Sequence, residues 1–164
     1  MANINADVTL RRLIKELEIW ANDHQMVNDF GYGQYLEVFR ESGRDYAALI
    51  VNVPNANSDQ WYYNLNLEII CLDYVKDEKG NKDRVNSDTL DIIRDLENTI
   101  RWSPRWQSFS RIDATFNYQK VDEFGADKAF GWIATVILKI KKRSGFCNIE
   151  NLLPTYDFIT PPGE

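Results

Sequence analysis

The longest periodic stretch of the chain runs from Trp61 to Val75. Trp61, Tyr63, Leu65, Leu67, Ile69 and Cys71 take alternate positions, with Tyr62, Asn64, Asn66 and Glu68 between them. A period of two predicts a strand with one face in the core. From Ile70 to Tyr74 the intervening positions turn apolar as well, so this half is expected to be covered on both sides. Strands usually run to about five or six residues. One this long requires partners along both edges.

The remaining elements follow from the same reading. Leu10, Leu13, Ile14, Leu17, Trp20, Ala21 and His24 form one stripe at three-and-four spacing, predicting an amphipathic helix over Thr9–Gln25 with Asp7 as its N-cap. Phe30-Gly31-Tyr32-Gly33 reads as a glycine-punctuated turn, and Tyr35–Phe39 as a short strand. Glu41–Asp45 carries the turn residues of a hairpin connection. Tyr46–Val53 is an apolar strand that Pro54 is expected to stop, leaving residues 54–59 as a polar loop. This strand and the long one are expected to pair antiparallel. Lys76–Ser87 is the most polar stretch, either a solvated loop or the tip of a protruding arm. Ser87 or Asp88 then caps a second helix with Leu90, Ile93, Leu96 and Ile100 as its stripe and Ile92 beside it. Trp102-Ser103-Pro104 ends it, because a residue before proline avoids helical angles.

Phe109–Tyr118 alternates again, with Ile112, Ala114, Phe116 and Tyr118 on one face. A loop holding Asp122, Glu123, Gly125 and Asp127 leads to Phe130–Lys141, where Phe130, Trp132, Ala134, Val136, Leu138 and Ile140 share a face. These two strands should form a hairpin. The order predicts an α+β fold: a mainly antiparallel sheet, two helices on one face, a long hairpin and a C-terminal arm. Residues 1–145 are read as a single domain and residues 146–164 as the arm.

Composition narrows the function. At 164 residues with 44% apolar and 13% aromatic content, one domain can bury roughly two thirds of its unfolded surface. The apolar runs are too short to span a membrane, and Met-Ala-Asn-Ile-Asn-Ala-Asp lacks the basic and apolar regions of a secretory signal. Two cysteines, Cys71 and Cys147, are compatible with a reducing cytosol, and Cys71 reads as a small buried hydrophobe. A net charge of −6 disfavours gripping phosphate backbones, yet allows a surface to stand beside DNA without holding it.

Candidate chemistry is sparse. His24 is the single histidine and reads as a packing or capping residue; without Cys-x-x-Cys or His-x-x-x-His spacing no metal site is expected. Asp73, Asp77, Asp83 and Asp88 invite a calcium reading, but from Asp73 the sixth loop position is Glu78 and the twelfth Arg84, which breaks the EF-hand pattern. Gly31 and Gly33 give Gly-x-Gly, with a helix before and a strand after, the reverse of a dinucleotide loop. Asp122 and Glu123 sit in an expected hairpin loop, where solvation keeps carboxylates ordinary. A nuclease needs a lysine beside clustered acids, and Lys139, Lys141 and Lys142 have no Asp or Glu near them in sequence. No cofactor is expected. Trp102 and Trp106, with Phe109, are core packing or a contact surface, with Arg101, Arg105 and Arg111 interleaved. Tyr156, Phe158 and Ile159 either fold back on their own domain or bury themselves on another chain.

The run His24-Gln-Met-Val-Asn-Asp-Phe-Gly-Tyr-Gly33, followed by a short strand and Asp45-Tyr-Ala-Ala-Leu-Ile-Val51, resembles a group of small tailed-phage proteins. In those proteins a helix ending near His-x-x-x-Asn leads to a Phe-Gly-x-Gly turn and a strand. An apolar strand led by Tyr-Pro follows; this chain has Tyr46-Ala47 there. The element order is also similar to tail-terminator, tail-completion and head–tail connector ring proteins. The likeness covers most of the chain in topology, and its motif about thirty residues.

The resemblance implies a structural, non-enzymatic subunit assembled in the host cytoplasm into the virion. Copies would close into a homo-oligomeric ring of about six or twelve, each meeting the next through unlike patches. Its partners would be portal, connector and tail proteins, with DNA passing through the bore without specific binding and no membrane involved. Its expected subunit contacts are a charged hairpin tip (Asp77, Glu78, Lys79, Lys82, Asp83, Arg84), the aromatics Trp102 and Trp106, and the arm residues Tyr156, Phe158 and Ile159. The turn His24, Phe30, Gly31, Tyr32, Gly33 carries the family likeness. A monomeric or dimeric adaptor in another assembly is the second reading, and a nuclease-type enzyme the third.

Overall fold

In the computed structural model, which describes residues 10–34, 45–75, 81–107, 111–112, 115–124 and 129–141, the long alternating stretch becomes strand β3 (Tyr62–Tyr74). It lies in the middle of an α+β sheet. β2 (Ala48–Ser58) and β6 (Ala129–Lys141) flank it, both antiparallel. Beyond β2 lies β1 (Asp29–Tyr32), and beyond β6 lie β4 (Arg111–Ile112) and β5 (Asn117–Phe124). β4 and β5 meet different parts of β6, the first opposite Lys139 and Leu138 and the second opposite residues 129–135, so they follow one another along a single edge.

Two long helices cover one face. α1 (Leu10–Asp23) buries Leu13, Leu17 and Ala21; α2 (Lys82–Trp102) buries Val85, Thr89, Ile92, Ile93, Leu96 and Ile100. Both stripes enter one core with Leu49, Val51, Leu67, Ile69, Cys71, Ala134, Val136 and Leu138 from the sheet. Each Leu or Ile so buried is worth about 1.5–3 kcal/mol. The helices run antiparallel: Trp20 Nε1 donates to Thr99 Oγ1 at 3.1 Å, and nearer the start of α1 Glu16 meets Arg105 at 2.5 Å. A smaller cluster on the opposite face holds Ile50, Ile70, Leu72 and Ala129. That is the two-sided burial expected for the far half of β3.

Gly131 is needed where β6 pairs with β3 opposite Leu72, because a Cβ there would overlap the Cys71 carbonyl oxygen, which belongs to backbone and cannot swing aside.

Several expected boundaries move. Pro54 does not stop its strand: β2 continues to Ser58, and the register slips between Asn52 and Asn55. A bulge is where a strand accommodates a residue without an N–H. Phe30-Gly31-Tyr32 is not a turn but the body of β1, paired in parallel with Leu49–Val51. Glu123 and Asp122 lie in β5, so the hairpin with β6 starts later than the alternation suggested. α2 starts at Lys82 after Asn81, about a turn before Ser87, because Val85 already faces the core. It ends as expected, at Trp102, with Ser103 extended before Pro104 and a short helix α3 (Pro104–Gln107) following. The expected strand Tyr35–Phe39, the Asp7 cap and the arm from residue 146 lie outside the described residues.

Candidate functional site

The run from His24 to Gly33 folds into a junction between α1, β1 and β2. His24 ends the helix: its backbone N–H donates to the Ala21 carbonyl at 3.2 Å and its carbonyl accepts from Val27 at 3.1 Å. Its ring lies 4.8 Å from the Trp20 ring. Nδ1 accepts the Met26 N–H at 3.3 Å, which leaves Nε2 to carry the proton toward Asp95 Oδ2 at 3.4 Å. His24 therefore packs and caps, as its place on the stripe implied. Four residues on, the Asn28 backbone N–H donates to the Ala47 carbonyl at 2.9 Å, and its side-chain amide donates to the Tyr46 carbonyl. Gly33 closes the strand at φ 134°, a left-handed value that favours glycine, and donates to the Val51 carbonyl at 3.0 Å. Gly31 is buried between them and Tyr32 is exposed.

The expected charged tip is not the end of a hairpin. Asp77, Glu78 and Lys79 lie outside the described residues. Lys82, Asp83 and Arg84 form the first turn of α2, where the Asp83 carboxylate suits the positive end of the helix. Lys82 Nζ sits 3.2 Å from Asp122 Oδ1 and 4.4 Å from the Phe130 ring centroid; Arg84 Nε is 3.4 Å from Asp88 Oδ2. Both cations are thus engaged within the chain. Trp106 is 3% exposed and belongs to the core, which leaves it no surface for a partner. Trp102 is 73% exposed. Tyr156, Phe158 and Ile159 lie outside the described residues.

The hairpin tip lies at the other end of the sheet, at Asp59-Gln60-Trp61. Asp59 Oδ1 accepts the N–H groups of Trp61 and Tyr62 at 2.7 Å each. These two bonds, the Trp61 one foremost, hold its carboxyl below the usual carboxylate range, and Lys139 adds a smaller pull. Tyr63 shares the helix-side face of β3 with Leu65 and Leu67 but is 52% exposed, and Trp61, in the turn just before β3, is 60% exposed. The sequence reading had placed both in the core. A signal against that was present on the opposite face. There Asn66 donates to Asn55, Asn64 to Asn57 at 2.8 Å, and Asn52 to Glu68 at 3.0 Å, a ladder of polar pairs.

Near α2, the Tyr118 hydroxyl donates to Glu97 Oε2 while Arg101 Nε donates to Glu97 Oε1 at 2.7 Å. Burial first, then the bonded Glu97 carboxylate, push the phenol well above its ordinary value. The Cys71 thiol is fully buried and raised by that burial, then by Asp73, which makes it a poor nucleophile. Among the described residues no three His, Cys, Asp or Glu side chains gather as metal ligands, and no helix is long and apolar enough to cross a membrane. Asp73 lies on β3 while Asp83 and Asp88 lie on α2. No protein-family model matches the chain, and no curated protein matches it either.

Proposed function

We propose that the chain is a non-enzymatic ring subunit at a tailed-phage head–tail joint, a connector or tail terminator that joins portal to tail and lines the DNA conduit. The observation that carries this reading is the shape of the β2–β3–β6 blade. Its root packs against two antiparallel helices, and its outer end carries the exposed aromatic side chains Trp61 and Tyr63. A wedge with one covered face and a long uncovered end suits side-by-side packing around an axis, where each copy presents one patch to a different patch of the next. The family-like residues support the same reading through their place at one junction, with Asn28 bonded to Tyr46 and Ala47. The acidic balance of the chain fits a bore through which DNA slides. Negative-stain electron microscopy of the purified full chain tests this. Closed rings with a central opening are expected; single subunits at every concentration, alone and with virion joint proteins, would sink it.

A further inference from the structure

His24 is held through both of its ring nitrogens, and the two bonds require different protonation states. Nδ1 accepts the Met26 N–H at 3.3 Å, which a nitrogen carrying its own proton cannot do. Nε2 faces Asp95 Oδ2 at 3.4 Å, a contact that persists and gains charge in an imidazolium. The side chain is only 15% exposed and its ring lies 4.8 Å from that of Trp20, so packing holds it between the two partners. Trp20 is itself fixed to α2 by its bond to Thr99 at 3.1 Å. Histidine ordinarily changes charge between about pH 5 and 8, so the conflict between the two nitrogens arises near neutrality.

The conflict is placed where it has leverage. Met26 lies in the turn between α1 and β1. The next N–H, of Val27, returns to the His24 carbonyl at 3.1 Å, and the one after, of Asn28, makes the 2.9 Å bond to Ala47 that leads into the parallel pairing of β1 with β2. A neutral ring therefore caps the turn from the side. The charged surroundings are simple. Among the described residues Asp95 on α2 is the group in ion-pair reach of the ring, and Asp91, one turn before it, lies 3.8 Å from Arg94. Asp23 closes α1, Asp29 opens β1 and Asp45 precedes β2. These carboxylates, and the negative end of α1 that His24 follows, are all compatible with a cation at this position.

We propose that His24 is a pH-sensitive latch on the α1–β1 junction: the neutral ring caps the turn through Met26, and protonation releases that cap while Asp95 retains the ring. The latch goes beyond the head–tail joint reading and stands without it. The test follows the isotope-labelled full chain by NMR from about pH 8 to about pH 5, reading the His24 ring and amide hydrogen exchange corrected for its intrinsic pH dependence. Protection of the Met26 amide is expected to fall several-fold as the His24 ring takes up its proton. The Trp20 indole N–H, bonded to Thr99, should keep its protection. In His24→Gln, whose carboxamide does not titrate, Met26 protection should stay level over the same range. Met26 protection that holds steady through the wild-type titration would overturn the latch. So would an equal fall in His24→Gln, which would assign the change to another group, or a parallel loss at Trp20, which would mean that α1 and α2 part as a whole.

Discussion

The two halves of β3 differ although they belong to one strand. From Ile69 to Leu72 every residue is buried, odd positions under the helices and even positions against Ile50 and Ala129. From Tyr62 to Asn66 the even positions are half-buried, with Asn64 and Asn66 bonded to Asn57 and Asn55, and Tyr63 is exposed on the helix side. The root holds the apolar burial that stabilises the fold, and the outer end is left with surface that stabilises little within one chain. This division is a physical basis for assigning folding to one half and contact to the other.

The sharpest way to break the comparison is to cut the root. Leu96→Ala removes a fully buried side chain and should cost about 2–5 kcal/mol in chemical denaturation. A loss under about 1 kcal/mol would mean that α2 does not carry the core. Gly131→Ala should fall in the same range or fail to fold, since the Cys71 carbonyl occupies the space. Recovery of a wild-type melting curve would contradict that packing.

A smaller effect sits at the edge of the root. Tyr118→Phe removes a hydroxyl bonded to Glu97 and should cost about 1 kcal/mol, with Arg101 still pairing the carboxylate. Because the folded phenol is raised above its unfolded value of about 10, its contribution is fully present below that pH. It is lost as pH rises toward the folded value. Wild type and Tyr118→Phe should therefore converge in stability above about pH 10; a constant gap would refute the assignment.

At the tip the sign reverses. Asp59 is depressed, so the order it brings to the turn is present above the unfolded carboxylate value of about 3.9 and fades as pH falls through the folded one. Hydrogen exchange at the Trp61 and Tyr62 amides should quicken in Asp59→Ala at neutral pH while the rates in α2 hold. Equal quickening in α2 would show that the tip and the root unfold together. Smallest of all, Trp61→Ser should shift the stability of the chain by less than about 0.5 kcal/mol.

The sequence was legible wherever burial enforced a period. β3, β6 and both helix stripes could be read because one face of each meets the common core. Three features were hidden for physical reasons. Pro54 looked like a stop, but a bulge absorbs its missing N–H. Asp29–Tyr32 is too short and too rich in glycine to show alternation, and its strand character comes from parallel pairing with β2. Trp61 and Tyr63 kept the period of the core while lying beyond it, since periodicity records which face a residue is on and not where the covering helices end. Trp102 and Trp106 looked alike in sequence and were separated by the extended Ser103, which leaves one ring in water and turns the other into the core.

Native mass spectrometry of the full chain beside its Trp61→Ser variant bears most directly on the proposed division between a folding root and an assembling end. The account predicts a closed multiple of the 19.2 kDa chain for the wild type, a single subunit for the variant, and matching thermal melts for the two. Equal masses for both would remove Trp61 from assembly, and a variant that melts far earlier would place it in folding; either would contradict the account.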